Sequence, residues 1–295
     1  MLPLISIVVP VSSMANKLES FKLWTQSLDS KYQLIVVHDF KDKATGIELQ
    51  DHIEKNLTCQ TMFLEGKYGS PGSARNAGMQ VALGEWIIFW DSDDLGYVDS
   101  LDKWLREKDL ECKGQNRDLV VFRFSRLNLI TTEVLDQGNW KSEQKKNEVF
   151  WLSQPGLWRC LIRREITKDL EFLEMLMGED QVFLLDVLAK GVKPCFQDQI
   201  VYQYATGREG QATQSERAVQ EMSISLKEIA NRRDLLPASV DRAASILWIK
   251  LSVSCIKKLS FKQKPTVVYE FLATVFSRPH LWKLLIDIKM QGGKL

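Results

Sequence analysis

Runs rich in Val and Ile alternate with amphipathic stretches through the first 125 residues. That alternation is the signature of βαβ units around a mostly parallel sheet. Residues 4–9, 33–37 and 61–64 read as strands, and residues 18–28 and 47–56 between them have helical spacing. The breaker cluster Gly69-Ser70-Pro71-Gly72 precedes an expected helix over residues 73–83, followed by the very apolar strand 85–90. Strands so continuously apolar are usually covered on both faces. After Asp94 the order changes to a helix near 98–108, a strand at 119–124, a hairpin spanning 126–135 and a polar stretch through Lys146. Residues 156–162 read as a further strand, 179–190 as a helix entered through Gly178, and 193–204 as mixed strand and loop. From Gln214 onward the pattern is helical, broken by Pro237, Pro265 and Pro279. The expected architecture is an α/β domain over residues 1–214, with a Rossmann-like, mostly parallel sheet flanked by helices, and an all-helical C-terminal extension over 215–295.

Composition narrows the class. The 295 residues are 45% hydrophobic and 26% charged, which excludes a disordered or fibrous chain. The net charge of +1 hides an asymmetry: residues 215–295 hold 14 basic and 7 acidic side chains, leaving 25 basic and 31 acidic in the first 214. A mildly acidic body argues against nucleic acid as a partner, and a basic tail suits an anionic surface. The five cysteines (Cys59, Cys112, Cys160, Cys195, Cys255) include no CxxC pair, so neither a disulfide framework nor a zinc site is encoded and a reducing cytoplasm is expected. The apolar start at residues 2–11 lacks a basic flank and contains Pro3 and Pro10, so it reads as a strand rather than a signal peptide.

The strand Trp86-Ile87-Ile88-Phe89-Trp90 ends abruptly in Asp91-Ser92-Asp93-Asp94. Ligands in open α/β sheets bind beyond the carboxyl ends of strands, and an Asp-x-Asp pair offers oxygen ligands to a hard divalent ion such as Mg or Mn. An acidic loop capping the next helix would look the same. Upstream, Gly72-Ser73-Ala74-Arg75-Asn76-Ala77-Gly78 is a glycine-rich turn opening a helix that carries a cation. Such a helix start favours anions, and Arg75 could add a bidentate fork to a phosphate or base edge. Asp39, after His38 at the end of the second strand, could accept from a ribose hydroxyl or base imide, or serve as a turn residue. Glu179 and Asp180 open a helix, where acids are electrostatically welcome. With three histidines in the chain and none in a promising motif, a carboxylate is the better candidate for a general base.

In order, ISIVVPV, VVHD, GSARNAG, GEWIIFWDSDD and GED resemble the family 2 glycosyltransferases of the GT-A fold over roughly residues 4–214. The resemblance implies an inverting, metal-assisted enzyme that moves a sugar from a nucleotide-sugar, taken here as UDP-linked, to a hydroxyl of a glycan or lipid-linked acceptor in bacterial surface polysaccharide synthesis. By position it implies that Pro10 and Asp39 hold the nucleotide base and that Arg75 contacts base or phosphate. Asp93 would contact Mn or Mg directly, with Asp91 on the ribose or on the metal's water. Asp180 would be the catalytic base with Glu179 beside it, and Arg208 would lie in a segment closing over the donor phosphates. Ser12 and Ser13 stand where the family usually has an aromatic and an Asn, and His38-Asp39-Phe40-Lys41 replaces a DDGS-like turn, so the departures fall on the base-binding side.

Two other readings compete. A sugar-nucleotide nucleotidyltransferase wants a basic, glycine-rich loop directly after the first strand, and Val9-Pro10-Val11-Ser12-Ser13 does not supply one. A catalytically inactive carbohydrate- or nucleotide-binding protein would not need Asp93 and Asp180 together. Between Asp241 and Glu270 six basic residues and no acid are interleaved with apolar ones. Such a helix lies on an anionic membrane, here the inner face, or packs on the domain or in a homodimer.

Overall fold

The structure is a computed structural model and describes residues 2–12, 18–40, 43–111, 118–137, 148, 151–207, 216–233, 238–258 and 264–290. The chain divides into two compact units: residues 1–140, 157–174 and 192–209 form the first, and residues 141–156, 175–191 and 210–295 the second. The domain boundary expected at 214/215 lies outside the described residues.

The first unit is built on β1 (Ile5–Val11), β2 (Tyr32–Asp39), β3 (Gln60–Gly66), β4 (Trp86–Phe89), β5 (Leu95–Gly96), β6 (Leu119–Asn128), β7 (Val134–Gln137), β8 (Cys160–Arg163) and β9 (Pro194–Thr206). Their spatial order is β3-β2-β1-β4-β8-β6-β9-β5, with β7 also paired to β6. β1 runs parallel to both β2 and β4, and β2 runs parallel to β3. β8 is antiparallel to β4 and β6, whereas β9 is parallel to β6 through an irregular register near Arg123. The chain therefore steps outward from β1 through β2 and β3, then returns to the other side of β1 as β4. That reversal creates a crevice at the carboxyl ends of β1 and β4, where open α/β sheets take ligands.

Helices α1 (Leu18–Thr25), α2 (Lys43–Asn56), α3 (Pro71–Gln80), α4 (Val98–Glu111) and the single turn α5 (Arg164–Thr167) belong to this unit. Alternate residues of β1 divide between two faces. Ile5, Ile7, Val9 and Val11 join Phe21, Trp24, Trp90 and Trp104 in one core cluster. On the opposite face, Val8 and Val37 press on Gly78 of α3, where a Cβ would come within 2.4 Å of Val8 Cγ1. That close approach requires glycine.

The second unit is helical: α6 (Glu179–Ala189), α7 (Glu216–Arg233), α8 (Ala238–Lys258), α9 (Lys264–Ser277) and α10 (Pro279–Met290). Val182, Phe183, Leu184, Leu185 and Val187 of α6 are almost completely buried, so this short helix is enclosed on several sides. In α8, where basic residues are interleaved with apolar ones, Ile246, Leu247, Ile249 and Leu251 are buried, whereas Trp248, Val253 and Ile256 are half-buried. Among the described residues no helix is long and apolar enough to cross a membrane.

Candidate active site

The acidic turn after β4 is held from three directions. Trp90 N–H continues the sheet by donating to Val8 O at 3.1 Å. The Asp91 N–H donates to Tyr202 Oη at 3.2 Å, and that hydroxyl donates to Asp94 Oδ2 at 2.8 Å. Asp94 Oδ1 accepts from Ala205 N–H at 2.9 Å. Asp94 is thus turned inward onto β9 and is buried, while Asp91 and Asp93 are only half-buried. Burial is the main reason the Asp94 carboxyl sits well above the usual carboxylate range, and the neighbouring Asp93 and Asp91 charges push it the same way. Burial likewise raises the Tyr202 phenol well above its ordinary value, reinforced by the Asp94 charge. Trp158 stacks on Tyr202 with centroids 4.7 Å apart and its backbone carbonyl accepts from the Trp90 indole N–H at 3.0 Å.

α3 brings a cation to this turn. Ser70, in extended conformation, caps the helix by accepting from Ser73 N–H at 3.1 Å, and Pro71 occupies the first turn, where no N–H is needed. Gly69 adopts φ +73°, a left-handed conformation that glycine reaches without strain. Its N–H donates to Asp39 Oδ2 at 3.3 Å, tying the end of β2 to the start of α3. Arg75 points from the buried face of α3, its guanidinium donating to Asp91 Oδ1 at 2.9 Å and lying 5.7 Å from the Phe172 ring centroid. A buried guanidinium needs such a carboxylate. Asn76 next to it clamps residue 172 at both backbone groups, donating to Phe172 O at 2.9 Å and accepting from Phe172 N–H at 2.7 Å.

Of the residues expected from the sequence, Arg75 and Asp91 are in direct contact, Asp39 meets the α3 loop, and Pro10 lies at the carboxyl end of β1 opposite Val37. Glu179 and Asp180 belong to the second unit and open α6 after Gly178, whose φ is +90°. Asp180 is half-buried, its Oδ1 accepting from Gln181 N–H at 2.9 Å, whereas Glu179 is buried. Arg208 lies outside the described residues. The sequence reading missed the work of Tyr202, Asp94 and Asn76: one is a strand tyrosine, one the last acid of a run, and one a helix asparagine, and their partners are far away in the chain.

Two oxygen-bearing side chains at a crevice fit a hard divalent cation. Mg and Mn bind through one or two carboxylates and take their other ligands from phosphates and water, and Asp91 and Asp93 match that number. Among the described residues no group of three His, Cys, Asp or Glu side chains is placed to hold a metal by itself.

A family model described as glycosyltransferase like family 2 matches residues 6–149. A glycosyltransferase of Haemophilus influenzae, itself uncharacterized, is 30% identical over 197 residues, covering 63% of this chain and 72% of that protein. The chain belongs to the family 2-like glycosyltransferases. Poly(ribitol-phosphate) β-N-acetylglucosaminyltransferase TarS of Staphylococcus aureus is 23% identical to this glycosyltransferase over 189 residues, 62% of this chain but 31% of TarS. The crystal structure of S. aureus TarS 1-349 in complex with UDP-GlcNAc matches its fold with a TM-score of 0.64 at 19% identity, covering 90% of this chain and 79% of that one. A mannosyltransferase of Pyrobaculum calidifontis in complex with GDP-Man and Mn2+ matches with a TM-score of 0.55 at 14% identity, covering 99% of this chain and 87% of that one. The GT-A architecture expected from the sequence is the one observed, with the helical C-terminal region present.

Proposed function

We propose that this glycosyltransferase transfers a sugar, with inversion, from a UDP-sugar to a hydroxyl of a glycan or lipid-linked acceptor in the synthesis of a bacterial surface polysaccharide, using Mn or Mg. The observation that carries the reading is the Arg75–Asp91 pair at the strand-order reversal, with Asp94 diverted to Tyr202. One guanidinium beside two half-buried carboxylates at the carboxyl end of β4 supports a site for a nucleoside diphosphate and its cation. The naming of TarS as a poly(ribitol-phosphate) transferase and its complex with UDP-GlcNAc support the donor and the acceptor class.

In this reading Pro10 and Asp39 line the base, Arg75 and Arg208 meet the phosphates, and Asp93, with Asp91, holds the cation. When bound, the cation supplies Lewis-acid and electrostatic stabilisation of the departing diphosphate. The acceptor oxygen attacks the anomeric carbon as the bond to UDP breaks, and Asp180, with Glu179 beside it, takes the hydroxyl proton. One displacement without a covalent sugar intermediate inverts the configuration, by the geometric logic that separates inverting from retaining hydrolases. Incubation with UDP-GlcNAc or UDP-glucose and Mn should release UDP slowly, and EDTA should abolish the release. A melting temperature raised by Mn and UDP without any turnover would instead favour an inactive binding protein. The absence of both turnover and a thermal shift would sink the reading.

A further inference from the structure

The last two helices of the second unit each present two apolar faces. Val275 of α9 and Leu281, Leu284 and Ile288 of α10 are buried, yet Tyr269, Leu272 and Phe276 are 73%, 40% and 67% exposed, and Trp282 and Ile286 are 43% and 56% exposed. The first three recur at i, i+3 and i+7 along α9, and the last two are one turn apart on α10, so each set forms a stripe. Phe276 and Trp282 meet edge to face with centroids 5.4 Å apart, which joins the stripes into one surface. A contiguous patch with three aromatic rings is more than scattered surface apolarity and marks a place that meets something.

Charge selects the occupant. The two helices themselves, residues 264–290, contain four Lys and Arg against two Asp and Glu, and exposed Lys283 is next to Trp282 in the chain. In a two-fold dimer the patch would face its own copy, setting like charge against like charge. An anionic lipid surface reverses that sign, and Tyr and Trp rings suit the boundary where one end is apolar and the other wet. We propose that the α9–α10 face docks this chain peripherally on a bilayer containing anionic phospholipid, with Tyr269, Leu272, Phe276, Trp282 and Ile286 entering the headgroup boundary. The inference goes beyond the transfer reaction and does not depend on which donor or metal is used. It places the contact on a different face from the buried α8 residues.

The intact chain should co-sediment with vesicles of phosphatidylglycerol and phosphatidylcholine at least about tenfold better than with phosphatidylcholine alone, and the difference should shrink at high salt. Tyr269→Ser with Phe276→Ser should remove most of the binding while circular dichroism and the melting temperature stay those of the wild type. Lys283→Glu should weaken it about fivefold or more. Equal sedimentation on the two vesicle types, or undiminished binding by the double variant, would overturn the proposal. So would a dimer in light scattering that the double variant converts to monomer without lipid, which would give the face to a second copy.

Discussion

Tyr202 shows how one hydroxyl can organise a functional turn. It accepts from the Asp91 amide and donates to Asp94, so it fixes both ends of the acidic run from β9, the strand paired with β5 directly after that run. Tyr202→Phe keeps the ring that stacks on Trp158 and removes only the oxygen. A buried Asp94 oxygen then loses its donor, which should cost about 1–3 kcal/mol in chemical denaturation. The Asp91 amide should exchange faster with solvent, and calorimetry should show weaker binding of Mn with UDP. Unchanged exchange and affinity would mean the turn holds itself. His52 gives a second test at this scale. Its imidazole accepts or shares a hydrogen bond with Thr25 Oγ1 at 2.9 Å. Burial holds its pKa below the usual 6.5, helped by the Lys22 charge and opposed by Glu19. The unfolded chain therefore takes the proton first, so stability is full above 6.5 and falls as pH drops below it. His52→Gln, which cannot ionise, should flatten the part of the denaturation profile that falls as pH drops below 6.5. An equally steep loss in the variant would clear His52 of the effect.

At the scale of elements, α3 is the piece on which the crevice depends, and its glycines are the reason it sits so close. A Cβ on Gly72 would stand 2.0 Å from the Leu173 carbonyl oxygen, and Asn76 clamps Phe172 on the neighbouring turn. Gly72→Ala should therefore push α3 off this segment and lower stability by about 1–3 kcal/mol, readable as a fall in melting temperature. A neutral substitution would show that residues 172–173 yield freely. α3 was legible in the sequence because its signals are local: a breaker cluster, a serine cap, a proline in the first turn. The helix begins at Pro71, two residues before the expected start, because proline suits a first turn. The Asp39, Asp91 and Asp93 candidates stood out for a related reason, since apolar strands ending in charge advertise their carboxyl ends, and Arg75 stood out through the glycine-rich turn that opens its helix. β9 was not. Gln197, Asp198 and Gln199 interrupt its alternation, and what makes it one 13-residue strand is pairing with β6, far away in sequence. The Tyr202–Asp94 bond spans 108 positions, beyond anything periodicity can report.

For the whole molecule, the proposed reaction gives donor binding and proton removal to different residues, and that division predicts separable defects. Asp91 and Asp93 belong to the first unit and Asp180 to the second. If Asp180 takes the acceptor proton, Asp180→Asn removes a step realised in the transition state, so kcat should fall by about 100-fold or more. Calorimetric affinity for Mn with UDP should stay within about twofold, because ground-state donor binding does not use that proton acceptor. Asp93→Ala should do the reverse: loss of one hard oxygen ligand weakens metal-dependent donor binding, and excess Mn should restore part of the turnover. The two phenotypes are informative only together. If Asp180→Asn weakened donor binding as strongly as it slowed turnover, its carboxylate would belong to donor recognition. The base would then have to be sought elsewhere, beginning with Glu179, whose burial and position at the helix start make it the nearest alternative.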